Sequence, residues 1–296
     1  MKNLALLLVA ILVALFSTEV VLRVIGKYTP PDWPPVERSP GLVKADPIMG
    51  YRLYPSARTC LRYPTTGGPL LEVISNSDGF RSAHEFGARD SRKRVTVLGD
   101  SFVFGAGVEV SERFTDVAQQ VTPSIRVDSV GQTGWGAPEM LRALEALGPT
   151  LDPDYVVLAL YTQDFVRPSP HYAGMGFPLP KFAVRDGKLV DEPFAPPVGW
   201  RRARLWQLYV QLRTQRDENF LAINEAIFAR MHESSRALGS RFAALFLPGR
   251  GDTPDDRLRR AALREWATRA SVPFTYRRVP RRRHRAHLHR EQRALE

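Results

Sequence analysis

Val95-Thr96-Val97-Leu98-Gly99-Asp100-Ser101 carries the clearest statement of fold class in the chain. A β-branched, apolar run closed by glycine predicts a short buried strand that turns sharply at its carboxyl end. Behind it the pattern alternates. A helix is predicted over 113–121, stopped by Pro123, then a strand over 125–130. Pro138 opens a helix whose apolar residues recur at three- and four-residue spacing until Gly148 ends it, and 155–161 forms a strand apolar throughout. After an irregular stretch come a helix over 218–238, a strand over 242–247, a helix over 255–270 and the opening of a last strand at Val272-Pro273-Phe274. Strands alternating with crossover helices predict a parallel α/β sheet. In such sheets ligands sit beyond the carboxyl ends of the strands, which is where Gly99-Asp100-Ser101 falls.

Residues 165–200 interrupt this alternation with seven prolines. Asp186-Gly187 between two short apolar runs signals a hairpin, so the segment reads as a lid-like insertion carrying a two-stranded flap. At the amino end Lys2 precedes an apolar run from Leu4 to Phe16, continued by Val20, Val21, Leu22, Val24 and Ile25. As a helix this run is about 33 Å long, enough to cross a bilayer core of about 30 Å. A cleaved signal peptide has a similar core, but Ala14-Leu15-Phe16 lacks the small residues of a cleavage site, which favours an anchor. Five prolines between Pro30 and Pro40 then predict an extended spacer. The domain is expected outside the cytoplasm, periplasmic or at the cell surface, held by a single pass.

The 296 residues carry 42 basic and 31 acidic side chains, a net charge of +11. Eight arginines and two glutamates lie in the last 21 residues, so +6 of that excess belongs to the tail and +5 to the rest. A charge so placed is not a basic face on a folded domain, and nucleic acid is not the expected partner. One cysteine, Cys60, excludes an internal disulfide and a cysteine-built zinc site.

Gly99-Asp100-Ser101-Phe102-Val103-Phe104-Gly105-Ala106-Gly107-Val108 resembles the first block of the SGNH (GDSL-type) hydrolases. Gly131-Gln132-Thr133-Gly134-Trp135-Gly136 is similar to the second. Asp46-Pro47, Gly50-Tyr51 and Asn76-Ser77-Asp78-Gly79-Phe80-Arg81 resemble the lead-in of membrane-anchored members. The resemblance implies a flavodoxin-like three-layer sandwich and an acyl-enzyme on Ser101. The oxyanion donors would be the amides of Ser101 and Gly134, with Gln163 standing where the family has asparagine. It implies an ester substrate, a small molecule or a carbohydrate carrying an O-acetyl group, and no cofactor or metal. An O-acyltransferase for an exported polysaccharide and an inactive binding protein share these residues. The expected organisation is a signal anchor (1–26), a spacer and lead-in (27–90), the α/β domain (91–275) and a basic tail (276–296).

The family's Asp-x-x-His is missing, and no aspartate follows Asp256. Three readings of the tail stay open. His287 or His289 folds back as general base, the tail is a basic arm for acidic lipid or nucleic acid, or a frameshift or truncation has replaced the ancestral end from about Thr275. The third is favoured, because arginine-rich, aspartate-free sequence begins abruptly after a normal strand opening. Elsewhere, His84 and His232 are expected on the surface without a role, and His171 is a candidate substrate contact. Arg257, Arg259, Arg260 and Arg264 are expected on a solvated helix face opposite Leu258, Ala262, Leu263 and Trp266. Sequencing the gene across codons 270 to 296 is expected to show that a single-base shift restores Asp-x-x-His; no such motif in either alternative frame would remove the frameshift reading.

Overall fold

The computed structural model describes residues 2–27, 42–62, 70–87, 89–168, 177–192, 198–216, 219–247, 249 and 252–276. Its elements follow in chain order. The apolar helix α1 (Lys2–Val24) precedes two antiparallel pairs, β1 (Val43–Asp46) with β2 (Gly50–Leu53) and β3 (Arg58–Arg62) with β4 (Leu70–Ile74). Next come β5 (Lys93–Gly99), α2 (Ser101–Phe104), α3 (Phe114–Val121), β6 (Ile125–Gly131), α4 (Ala137–Leu151) and β7 (Tyr155–Tyr161). The hairpin β8 (Lys181–Arg185) and β9 (Lys188–Glu192) follows, then α5 (Arg204–Arg216), α6 (Asn219–Ala237), β10 (Arg241–Leu247), α7 (Pro254–Arg269) and β11 (Phe274–Tyr276).

The central sheet has the order β6-β5-β7-β10-β11, with every pairing parallel. Taking its strands by their order in the chain, this is 2-1-3-4-5, the flavodoxin-like doubly wound arrangement. The direction of winding reverses at β5, so a crevice opens between the connections that leave β5 and β7. One face packs Leu98, Val130, Leu158, Leu160, Phe242 and Phe246 against α4, α6 and α7. The other face packs Val97, Val127 and Ala159 around Val103 of α2. There α3 is pinned to β6 by a 2.8 Å hydrogen bond between the Ser129 and Thr115 hydroxyls. Among the described residues α2 and α3 are the helices on this second face, and its Val157, Leu245 and Leu247 stay half-buried.

Two local expectations are corrected, and one helix is added. Gly148 does not end α4, which runs on through Pro149 to Leu151 and is closed by Asp152 in the left-handed region. Glycine serves packing there, since a Cβ would lie 2.6 Å from Leu238 Cδ1. The last strand begins at Phe274, because Pro273 has no N–H to give and contributes only its carbonyl, which Ala244 N meets at 2.9 Å. Helix α5 was not expected, its apolar residues being too evenly spread to mark one face.

The flap is fastened at its base. Lys181 and Glu139 of α4 are both buried, and burial moves each toward its neutral form against their mutual attraction. The Glu139 carboxyl is pushed up to about 7 and the Lys181 amine down to about 8. Beside them Phe182 is buried beneath the Arg142 guanidinium, 4.9 Å from its ring centroid.

A carboxyl raised from 4.5 holds its proton better in the folded state, so its contribution is lost as pH rises through about 7. An amine lowered from 10.5 releases its proton more readily when folded, so its contribution is lost as pH falls through about 8. Denaturant unfolding against pH is expected to show least stability between about 7 and 8. The pair Glu139→Gln with Lys181→Met is expected to flatten that trough; an unchanged curve would place the titration elsewhere.

Candidate active site

The site begins with two glycines that leave room for a valine. Gly99 and Gly131 are register partners at the carboxyl ends of β5 and β6. A Cβ on Gly99 would lie 2.3 Å from Val103 Cγ2, and one on Gly131 2.8 Å from Val103 Cβ. The fully buried Val103 therefore sits across both strand ends and draws α2 onto the sheet. Asp100 caps that helix, its Oδ1 accepting from Phe102 N at 3.0 Å, and Gly105 closes it with φ 78°. Ser101 is thereby the first helical residue, half-buried at the mouth of the crevice. Its Oγ lies 3.3 Å from Asp100 Oδ2.

Lead-in residues hold the flanking loops. The buried Arg81 donates to the carbonyls of Gly105 at 2.7 Å, Val108 at 3.0 Å and Glu72 at 2.8 Å. Beyond β6, Gly134 takes φ 91°, a conformation open to glycine at little cost. Its loop is fixed from both sides. The Tyr51 hydroxyl donates to Thr133 O at 2.7 Å, Trp135 Nε1 to Tyr51 O at 3.2 Å, and Gln132 Nε2 to Gly79 O at 2.9 Å.

Beyond β7 the chain makes one turn of 3₁₀ helix, Thr162–Phe165. Gln163 is exposed on it, while Asp164 is buried and accepts from Tyr161 N at 2.8 Å. The expected solvated arginine face holds for Arg257 and Arg264, both exposed, and is corrected at Arg259 and Leu258. Arg259 is buried and donates to Thr162 O and Oγ1, both at 3.1 Å, whereas Leu258 is 56% exposed. The carbonyl at the end of β7 needs a donor, and α7 turns an arginine toward it.

Arg167, which the sequence did not single out, ties the three loops together. Its Nη1 donates to Asp100 Oδ2 at 3.1 Å, to Trp135 O and to Asp164 Oδ1. Each acceptor adjoins one expected site residue: Asp100 adjoins Ser101, Trp135 adjoins Gly134, and Asp164 adjoins Gln163. Burial and the nearby Asp100 charge push the Asp164 carboxyl well above the usual range, opposed by Arg167. The only local signal for this role is an arginine three residues after a buried aspartate. On the rim, Phe102 and Tyr161 place their rings 5.0 Å apart, an apolar wall beside the serine.

His284, His287, His289 and His171 lie outside the described residues. The two described histidines have other attachments: His84 Nε2 is 3.1 Å from Asp128 Oδ1, and the His232 ring stacks on Phe242. His84 thus has a buried carboxylate partner that its surface reading did not anticipate. Among the described residues no three histidine, cysteine, aspartate or glutamate side chains converge to hold a metal. A cavity of about 560 Å³ lies between the β1–β2 turn, α4 and the flap, and Ser101 does not line it.

Fold and site together define a doubly wound α/β protein with a serine at the topological switch point. No family model matches the chain, and no curated protein does. Solved structures do match. The crystal structure of TesA is 16% identical, covering 62% of this chain and 77% of that one, with a TM-score of 0.40. AlinE4, an SGNH-hydrolase family esterase, is 11% identical, covering 64% and 77%, with a TM-score of 0.39. A member of the lipolytic protein G-D-S-L family from Veillonella parvula is 13% identical, covering 62% and 76%, with a TM-score of 0.38.

Replacing Arg167 by methionine is expected to cost about 3 kcal/mol in urea unfolding, the scale for breaking a buried ion pair from one side. Adding Asp164→Asn should recover at least about 1 kcal/mol by removing the abandoned carboxylate. A single-variant loss within about 0.5 kcal/mol, the range of ordinary surface changes, would show that the loops are held by other means.

Proposed function

We propose that this protein is a serine esterase or deacylase that cleaves an ester through an acyl-enzyme on Ser101. The observation that carries the reading is the placement of Ser101 at the start of a capped helix, at the switch point of the sheet and beside the Gly134 loop. Ser101 Oγ attacks the ester carbonyl and gives its proton to a general base. The amides of Ser101 and Gly134 hold the tetrahedral oxyanion, the alcohol leaves, and water then hydrolyses the acyl-serine. Gln163 offers a third donor from its exposed turn, one methylene further out than asparagine. The expected substrate is a small-molecule ester or an O-acetylated carbohydrate, with α1 as single-pass anchor and the domain on the extracytoplasmic side. A polysaccharide as acceptor in place of water makes the same chemistry an O-acyltransferase.

The base in this reading is His287 or His289 of the tail; a frameshift that replaced the ancestral end would have removed the family's base and the activity with it. One observation favours a second reading, a binding protein on the inherited fold. Among the described residues the serine hydroxyl has Asp100 as its hydrogen-bond partner and no histidine. The two readings part on one measurement. A fluorophosphonate is expected to label the full-length protein at Ser101, with the label absent in Ser101→Ala and strongly reduced when His287 and His289 are both replaced by alanine. A folded sample that takes no label would establish the binding protein and retire the esterase.

A further inference from the structure

We infer that residues 198–212 form a membrane-interface collar, a surface that lies in the headgroup layer of the bilayer entered by α1. The inference rests on the reading of α1 as an anchor and adds a second contact between the same protein and the same membrane.

The first observation is how the two helices are joined. Helix α1 spans 23 residues, about 34 Å at 1.5 Å per residue, and its apolar side chains from Leu4 to Phe16 are exposed on every side. Near its end Glu19 turns back to α5. Its carboxylate accepts from Arg204 N at 3.1 Å and Leu205 N at 2.9 Å, two of the unpaired amides at the start of that helix. Arg23 Nε adds a third bond at 2.7 Å, and Arg204 Nη1 reaches Lys27 O at 3.0 Å. A carboxylate near the end of a membrane helix is costly unless its oxygens are occupied, and here they are. The joint ties the start of α5 to the last two turns of α1, at the end where the helix leaves the membrane.

The second observation is what this region shows to its surroundings. Trp200, Trp206 and Tyr209 form a continuous aromatic row, with ring centroids 4.5 and 5.2 Å apart. Trp200 is 66% exposed, and Val198, Tyr209 and Leu212 are exposed beside it. Arg201 and Arg202 flank the row, Arg201 with its guanidinium 5.8 Å from the Trp200 ring centroid. Tryptophan and tyrosine with arginine at the end of an apolar helix is the composition that settles where acyl chains meet headgroups. A water-facing surface has no use for that row. Continuity with α1 selects lipid as the occupant over a second protein chain.

The single cysteine makes the test direct. In a Cys60→Ser background, Leu12→Cys, Tyr209→Cys, Leu212→Cys and Leu258→Cys each receive a fluorescent label. The full chain is reconstituted into phosphatidylcholine–phosphatidylglycerol vesicles containing a lipid-borne nitroxide quencher. Labels at 12, 209 and 212 are expected to lose at least about twofold more fluorescence than the label at 258, on the outer face of α7. Quenching at 12 without quenching at 209 and 212 would overturn the collar and leave the anchor standing. Cross-linking between copies through 209 or 212, without lipid quenching there, would also overturn it by showing a dimer surface. Quenching at 209 and 212 but not at 12 would remove the anchor and overturn the collar as a surface set beside it; quenching at none would remove both.

Discussion

Arg167 carries one positive charge and serves two buried carboxylates and a carbonyl, each from a loop that leaves a different strand. Parallel strands deliver their loops to a common edge but do nothing to fix how those loops stand relative to each other. The guanidinium supplies that constraint through one nitrogen, Nη1, around which all three acceptors gather. Burial first, and the neighbouring Asp100 charge second, push the Asp164 carboxyl up against the pull of Arg167. The guanidinium is thus the charge that offsets both carboxylates while it ties the Ser101, Gly134 and Gln163 loops together.

The lead-in extends this logic outward. Tyr51, Gly79 and Arg81 reach the same loops from the opposite side, so the residues before β5 act as an outer wall of the site. Glu139 of α4 adds a further tie. It caps α4 through Gly136 N at 2.8 Å, and its interaction with Lys181 carries the fastening on to the flap. The flap is therefore moored at its base, with Val184 at its outer end exposed.

Much of the scaffold was legible because it is written in local patterns. Strand β7 was expected at its exact bounds, and β6, α3, α6, β10 and α7 nearly so, since apolar periodicity and proline or glycine stops act over a few residues. The flap followed from Asp186-Gly187 for the same reason. The polar ties were not legible, because their partners meet only in three dimensions: Arg259 and Thr162 are 97 residues apart in the chain. Arg259 looked like a surface residue by composition, and only the neighbouring end of β7 gives it a buried carbonyl to serve. Gly148 was misjudged because glycine reads as a stop when taken alone, whereas here it admits Leu238.

The seat of Val103 has a further consequence, for how this site tolerates change. The position of Ser101 is set by two missing side chains, at Gly99 and Gly131, and glycine has no smaller neighbour among the amino acids. Every substitution at either position adds volume where a valine already stands, so neither has a conservative replacement. Sequence drift at the mouth of the crevice is closed in one direction, and variation in the site is directed to the residues that line it, leaving the seat itself unchanged.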